Sequence, residues 1–379
     1  MASGFTPSHE RHSAMQTVIP TGDVKAKKYW SGTLAVDVVK KSYWEKRFIG
    51  SDDNNIIQRR TELESAPGEA ISFDLSVQLR AKPTYGDARL VGREENLRFY
   101  TDSVKIDQVR HAVSAGGRMT RKRTVHDLRR VARARLGDYF SRLWDEYMFM
   151  YLSGSRGINQ DFVEDLAFTG FAGNAFAAPD ADHIIYAGGN TTAAAMDAND
   201  KMTRLEIEKA IVKSGMMQAL NPELTNMVPV SIEGDDRYVI IMNPVQVFDL
   251  RNEVSTTNQG WLDIQKAAAA AQGSNNPIFK GGLGMINGTI LHEHRNVIRF
   301  GNYGAGSNVS AARALFLGRQ AGIVAYGTSG GLRFDWQEEL KDYGNEINVA
   351  SGFIGGIKKA QFNSKDFGVI ALDTAAAMP

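Results

Sequence analysis

The stretch Thr124 to Ser153, TVHDLRRVARARLGDYFSRLWDEYMFMYLS, constrains the fold more than any other. Its apolar residues return at intervals of three and four: Val125, Leu128, Val131 and Ala132, Leu136, Tyr139 and Phe140, Leu143 and Trp144, Met148 and Tyr151. That spacing places one apolar stripe along an α-helix whose opposite face is basic. Thr124 followed by Asp127 predicts a capping box at the start, and Gly154 predicts a left-handed stop. Thirty residues rise roughly 45 Å, which is long for an ordinary small enzyme domain and suits a flat, extended molecule.

Upstream, the pattern between Arg59 and Arg110 is alternation. Ile71, Phe73, Leu75, Val77 and Leu79 occupy every second position, and Leu97, Phe99, Val104 and Ile106 follow a turn-rich middle holding Pro83, Gly86 and Gly92. Two strands joined by a polar tip are predicted. A two-stranded ribbon that long has little core of its own, so it needs the subunit body or a neighbour to support it. Residues 1 to about 45, rich in Ser, Thr, Lys and Gly with Tyr29, Trp30, Tyr43 and Trp44, predict an arm lying against a partner.

The 379 residues carry 44 basic and 43 acidic side chains, a formal charge of +1. A general polyanion binder needs a concentrated basic field that this balance does not supply. Without cysteine, disulfides and thiolate metal sites are excluded. No signal-peptide pattern opens the chain and no run of 18 apolar residues occurs, so a soluble protein made in the cytoplasm, without membrane partners, is expected.

After the long helix, a Gly- and Ala-rich loop leads to a second helix predicted from Thr203, with Thr203 and Glu206 as its capping box. Arg237 to Met242 reads as a buried strand, and NPVQVFDLRN as a turn into a short helix. Ile264 to Gln272 reads as an Ala-rich helix, and Ile290, His292 and His294 alternate as in a strand. Ser310 to Gly318, SAARALFLG, reads as helix. From Asn345 to Leu372 the pattern predicts sheet, interrupted at Lys358 and Lys359.

The runs APGEAISFDLSVQLR and GDARLVGREENLRFYTDSVKIDQVRHAV, the long helix, and then RYVIIMNPVQVFDLR, WLDIQKAAAAAQGSNNPIFKGGLGMINGTILHEH, ARALFLGRQAGIVAYG and YGNEINVASGFIGGIKKAQFNSKDFGVIALDT stand in that order. In order and spacing they resemble the major capsid proteins of tailed phages related to N-four, which share the Hong Kong 97 capsid fold. The resemblance implies an α+β chain with an N-terminal arm (1–46), an extended two-stranded loop (61–110), a peripheral domain (111–220) built on a spine helix (124–153), a mainly axial domain (221–345) and returning C-terminal strands (346–379). It implies a structural subunit of the virion, assembled in the host bacterial cytoplasm into the pentamers and hexamers of an icosahedral head around double-stranded DNA. Scaffold, decoration and portal proteins would be its other partners.

Arg118, Arg121, Lys122, Arg123, Arg129, Arg130, Arg133 and Arg135 crowd the start of the spine around Asp127. On the capsid reading, Arg121, Arg123, Arg129, Arg130 and Arg133 face acids of an adjacent subunit, for which Glu94 and Glu95 between Arg93 and Arg98 on the hairpin are candidates, or face packaged DNA. Arginine suits both because its planar fork binds carboxylate or phosphate at two points. The rival reading is a nucleic-acid-binding protein that uses helix 118–142. A third, a nucleotide-dependent enzyme, rests on Gly304-x-Gly306, where the third glycine of a dinucleotide turn is replaced by Val309. His292 and His294 share one strand face without an apparent third metal ligand, and His111 and His126 flank the basic cluster. The sequence has no Gly-x-Ser-x-Gly, HExxH or phosphate-loop motif; neither catalysis nor a cofactor is expected.

Overall fold

The computed structural model describes residues 41–253 and 282–379, apart from Val77, Val125, Pro222, Glu223 and Glu233. The arm before Lys41 and the Ala-rich helix expected at Ile264 to Gln272 lie outside the described residues.

The long helix is Leu128–Ser153, 26 residues and roughly 39 Å. It starts four residues later than predicted because the arginine-rich run forms its own short helix, Arg118–Arg123, after which Thr124 is extended. Asp127 is therefore the N-cap, its carboxylate accepting the N–H groups of Arg129 and Arg130, and the Thr124 hydroxyl only accepts from the His126 N–H. At the other end Gly154 adopts φ 71° and closes the helix in the left-handed form. The single stripe holds for the first half alone, and there Val131 is exposed. From Leu143 to Ser153 every residue is buried, because sheets and the loop carrying Phe162, Phe168, Phe171 and Phe176 enclose the helix from all sides.

Two sheets flank it. In the six-stranded sheet, Glu346–Lys359 pairs with Gly322–Tyr326, Asp335–Lys341 and Asp107–Ser114, while Ile57–Arg60 joins Gly322–Tyr326 to the two-residue strand Ile49–Gly50. The eight-stranded sheet runs Ile184–Tyr186, Val369–Ala375, Val309–Leu317, Asp235–Met242, Thr289–Glu293, Gly282–Ile286, with Arg299–Tyr303 and Val230–Ile232 on its flanks. Its second face packs on the helix Arg204–Leu220. The result is mixed sheet with few helices, the α+β class expected.

Val309–Leu317 is a central strand, not a helix. It pairs with Val369–Ala375 on one side and Asp235–Met242 on the other, and Ala311 to Leu317 is buried throughout. Two-sided burial gives a strand the same unbroken apolar run as a core helix, and tertiary pairing overrides the helical preference of alanine and leucine. The expected interruption at Lys358 and Lys359 falls one residue later: the strand runs through both, with Lys359 buried and bonded to Asp366 at 2.6 Å and Lys358 paired with Asp102. Thr203 is an N-cap whose side chain makes no capping bond; Glu206 instead takes Lys209 at 2.8 Å.

Candidate assembly surface

The ribbon has a buried root and an open tip. Ala70–Ser76 and Phe99–Lys105 pair antiparallel from Ala70 with Lys105 to Ser76 with Phe99. At the root Ile71, Phe73 and Val104 pack against Ile323, Ala325 and Ala360. The alternation is therefore core-facing only near the body. Leu79, Tyr85, Leu90, Val91, Leu97 and Phe99 are all exposed, Val91 to 82% and Tyr85 to 79%.

Where the chain leaves the ribbon it crosses the Glu346–Lys359 strand at close range. A Cβ on Gly356 would lie 1.9 Å from the Lys105 carbonyl oxygen, so only glycine fits there.

The tip is held by its own acids. Glu95 accepts the backbone N–H of Arg80 at 2.8 and 2.9 Å and of Ala81 at 2.7 Å. The Ala81 and Arg80 N–H groups hold its carboxyl below the usual glutamate range. Glu94 accepts from the Gly92 N–H at 2.7 Å, across a turn in which Gly92 has φ +88°.

On the spine, Arg129 makes a two-point bond to Glu338 of the edge strand, 2.6 Å at both nitrogens. Arg121 donates to the Asn345 carbonyl at 3.2 Å. Burial and the neighbouring Arg129 depress the Arg133 guanidinium. Arg123 and Arg130 are exposed, as are Arg93 and Arg98 on the ribbon. The chain thus engages Glu95 and Arg129 internally and leaves exposed cations on both elements.

The body that carries these elements is tied by buried polar groups. Arg313 bonds Asp373 at 2.8 and 2.7 Å, Tyr303 donates to the same carboxylate at 2.6 Å, and Arg313 also donates to the Ser153 carbonyl at 2.9 Å. This last bond satisfies a free carbonyl at the helix C-terminus with a cation, where the helix dipole favours one. Near the helix middle, Asp145 accepts from the Ser42 hydroxyl at 2.7 Å and the Tyr43 N–H at 2.9 Å, fixing the start of the described chain to the spine. Burial pushes its carboxyl up to about 6, and pushes neighbouring Glu146, which accepts from the Val163 N–H at 2.8 Å, up to about 7.

His292 and His294 join an aromatic cluster: His294 stacks on Phe149 at 4.8 Å and meets Tyr43 at 4.5 Å, and His292 meets Phe48 edge-on at 5.6 Å. Burial lowers His294 to about 4. Among the described residues no group of three metal-binding side chains occurs. His111 stacks on Tyr139 at 4.3 Å, and His126 is exposed. Gly304, with φ +80°, turns between two antiparallel strands, so the expected helix N-terminus for a pyrophosphate is missing and the dinucleotide reading falls. No helix among the described residues is long and apolar enough to cross a membrane.

Sequence reasoning missed Asp145, Glu146, Arg313 and Asp373. The first two sit among charged positions of the helix, and the last two lie in runs read as apolar.

A family model described as phage capsid protein matches residues 18–378. The chain is 26% identical over 362 residues to the major capsid protein of Pseudomonas phage KPP25, covering 87% of this chain and 90% of that protein. It is 63% identical to a chain of the capsid of Ralstonia phage GP4, covering 96% of this chain and 99% of that one, with a TM-score of 0.84. The capsid of cyanophage Pam1 matches in fold at 22% identity, over 90% and 94% of the two chains, with a TM-score of 0.69.

Proposed function

The chain belongs to the phage capsid protein family, and from that premise we propose how this structural subunit, a major capsid protein and not an enzyme, builds its shell. Subunits join into pentamers and hexamers of a Hong Kong 97-type icosahedral head that encloses double-stranded DNA. The subfamily is that of N-four-related phages, with assembly in the host bacterial cytoplasm and scaffold, decoration and portal proteins as further partners. Residues 1–46 act as the arm, 61–110 as the extended loop, 111–220 as the peripheral domain, 221–345 mainly as the axial domain and 346–379 as the returning strands.

The observation that carries this reading is the ribbon: its root is packed, yet six large apolar residues beyond Ser76 are exposed. A second subunit supplies the missing contacts. Covering that surface at about 25 cal/mol per Å² provides the strength of association. Exposed charge pairs add only about 0–1 kcal/mol each, so they set register. Glu94, Arg93 and Arg98 of one copy, facing Arg121, Arg123, Arg129, Arg130 and Arg133 and their acidic neighbours on the next, are the register contacts. Glu95 contributes by shaping the tip that Glu94 rides on.

Electron microscopy of the purified chain tests this, with shells, tubes or ring-shaped capsomers expected. Replacing 78–97 by a short turn is expected to leave a folded monomer without assembly. Closed shells from that deletion, or uniform monomers from the unaltered chain at high concentration, would overturn the reading. The nucleic-acid alternative gains no support, since the family model and the relatives that match nearly the whole chain are capsid proteins.

A further inference from the structure

The helix Arg204–Leu220 buries one face, with Ile207, Ala210 and Met217, in the second core. Its other face breaks the usual pattern. The exposed positions are Leu205, Val212, Gly215, Met216, Ala219 and Leu220, and at 100° per residue they fill an arc of roughly 140°. The charged side chains are tied down instead: Arg204 to Glu208 at 2.9 Å, Lys209 to Glu206 at 2.8 Å, and Lys213 to the Ile184 carbonyl at 2.8 Å. A helix normally turns its charges to water and its apolar residues inward.

Gly215 is the second, independent anomaly. A glycine inside a helix costs about 1 kcal/mol relative to alanine, and nothing among the described residues requires it. A Cβ added at Gly215 would meet no atom of the described residues within 4 Å. Glycine is kept where another backbone or side chain must come close, and no such neighbour occurs among the described residues.

We propose that this face is an interface to a second copy of the chain, with Gly215 as the point of closest approach. The surface is continuous with the ribbon: Gln218 donates to the Gln78 side chain at 3.4 Å, and Arg80 of the ribbon to the Leu224 carbonyl at 3.2 Å. The ribbon's exposed apolar row therefore begins at the C-terminal end of this helix, and a neighbour seated on one meets the other. A stable interface takes roughly 800 Å² from each partner, more than the few hundred Å² at which an apolar patch signals a partner, so helix face and ribbon together form one contact. The C-terminal half of the face carries no exposed charge, which fits an apolar protein surface and not a phosphate backbone.

The inference rests on the shell-subunit reading, and its test separates the two. Val212→Glu and Gly215→Leu each place a larger or charged group where the described residues leave open space. Isolated subunits of both are expected to melt at or above the wild-type temperature, within a few degrees for Val212→Glu. Shells or capsomers, counted by sedimentation and microscopy, are expected to fall at least tenfold. Wild-type assembly yield from both variants would overturn the proposal while leaving the shell reading intact. So would normal shells that have lost only an accessory protein, because the occupant would then be that protein. A wild-type chain that never assembles would overturn the underlying reading and this interface with it.

Discussion

Two arginines grip a carboxylate with the same two-point geometry at opposite ends of the long helix. Arg313 and Asp373 sit at its C-terminal end with side chains 8% and 0% exposed, whereas Arg129 and Glu338 sit at its N-terminal end with 42% and 7%. Within the molecule the first pair is sealed beneath Phe300 and roofed by the Ser153 carbonyl. The second lies where the spine meets the edge strand Asp335–Lys341. Identical chemistry therefore serves two purposes. In the dry pair it fixes the body, since either charge left alone would be intolerable; in the second pair the arginine is exchangeable, because water or another subunit can reach its half-exposed guanidinium.

The sharpest way to break this contrast is Asp373→Ala. It strands the Arg313 guanidinium and the Tyr303 hydroxyl in the interior, and losing one member of a buried pair costs about 3–5 kcal/mol. Urea denaturation of the isolated subunit is expected to show a loss of that size; a loss below about 1 kcal/mol would place this pair in the same class as the surface one.

A pH series probes the next layer, the buried carboxyl of Asp145. Its folded pKa is raised from 3.8 to about 6, so its neutral form is favoured in the fold. The stability it contributes is complete below about pH 4 and is lost as pH rises through 6. Asn in its place keeps an oxygen for the Tyr43 N–H but cannot ionise. Relative to wild type, Asp145→Asn is expected to gain on the order of 2 kcal/mol between pH 4 and 7, and a constant difference across that range would contradict the assignment. His294, lowered to about 4, loses stability in the opposite direction as pH falls, which is why the difference between variants is the informative quantity.

Arg129→Ala is the smallest of the three for the subunit, at most about 1 kcal/mol, yet assembly is expected to weaken visibly. Raising salt from about 0.1 to 1 M shortens the screening length from roughly 10 to 3 Å. It is expected to reproduce the Arg129→Ala assembly defect in the wild type while leaving the urea midpoint of the subunit almost unmoved by comparison with Asp373→Ala.

The same contrast marks what could be read from the residues. The long helix was legible because a period near 3.6 persists over many turns, and Gly154 announced its end. The ribbon root was legible because Ile71, Phe73 and Val104 alternate. The start of the helix was not, since a run of arginines satisfies either one helix or two. Val309–Leu317 was misread because burial on both faces erases the period that distinguishes strand from helix. At the candidate surface, the basic cluster and ribbon acids were visible as composition. That Glu95 closes the tip on Arg80 and Ala81, and that Arg129 reaches Glu338, depends on pairings 14 to 209 positions apart, which no local pattern encodes. Arg313 and Asp373 are 60 apart and hidden in apolar runs for the same reason.

The crossing at Gly356 has a mechanical corollary. Because no side chain can be accommodated against the Lys105 carbonyl, the angle at which the outstretched segment departs from its own subunit is welded. A closed container made of one building block must still accept neighbours at several inclinations. Strand pairing ends at Ser76 and Phe99, so any give of the outstretched segment lies in the roughly twenty residues beyond that point and not at its root.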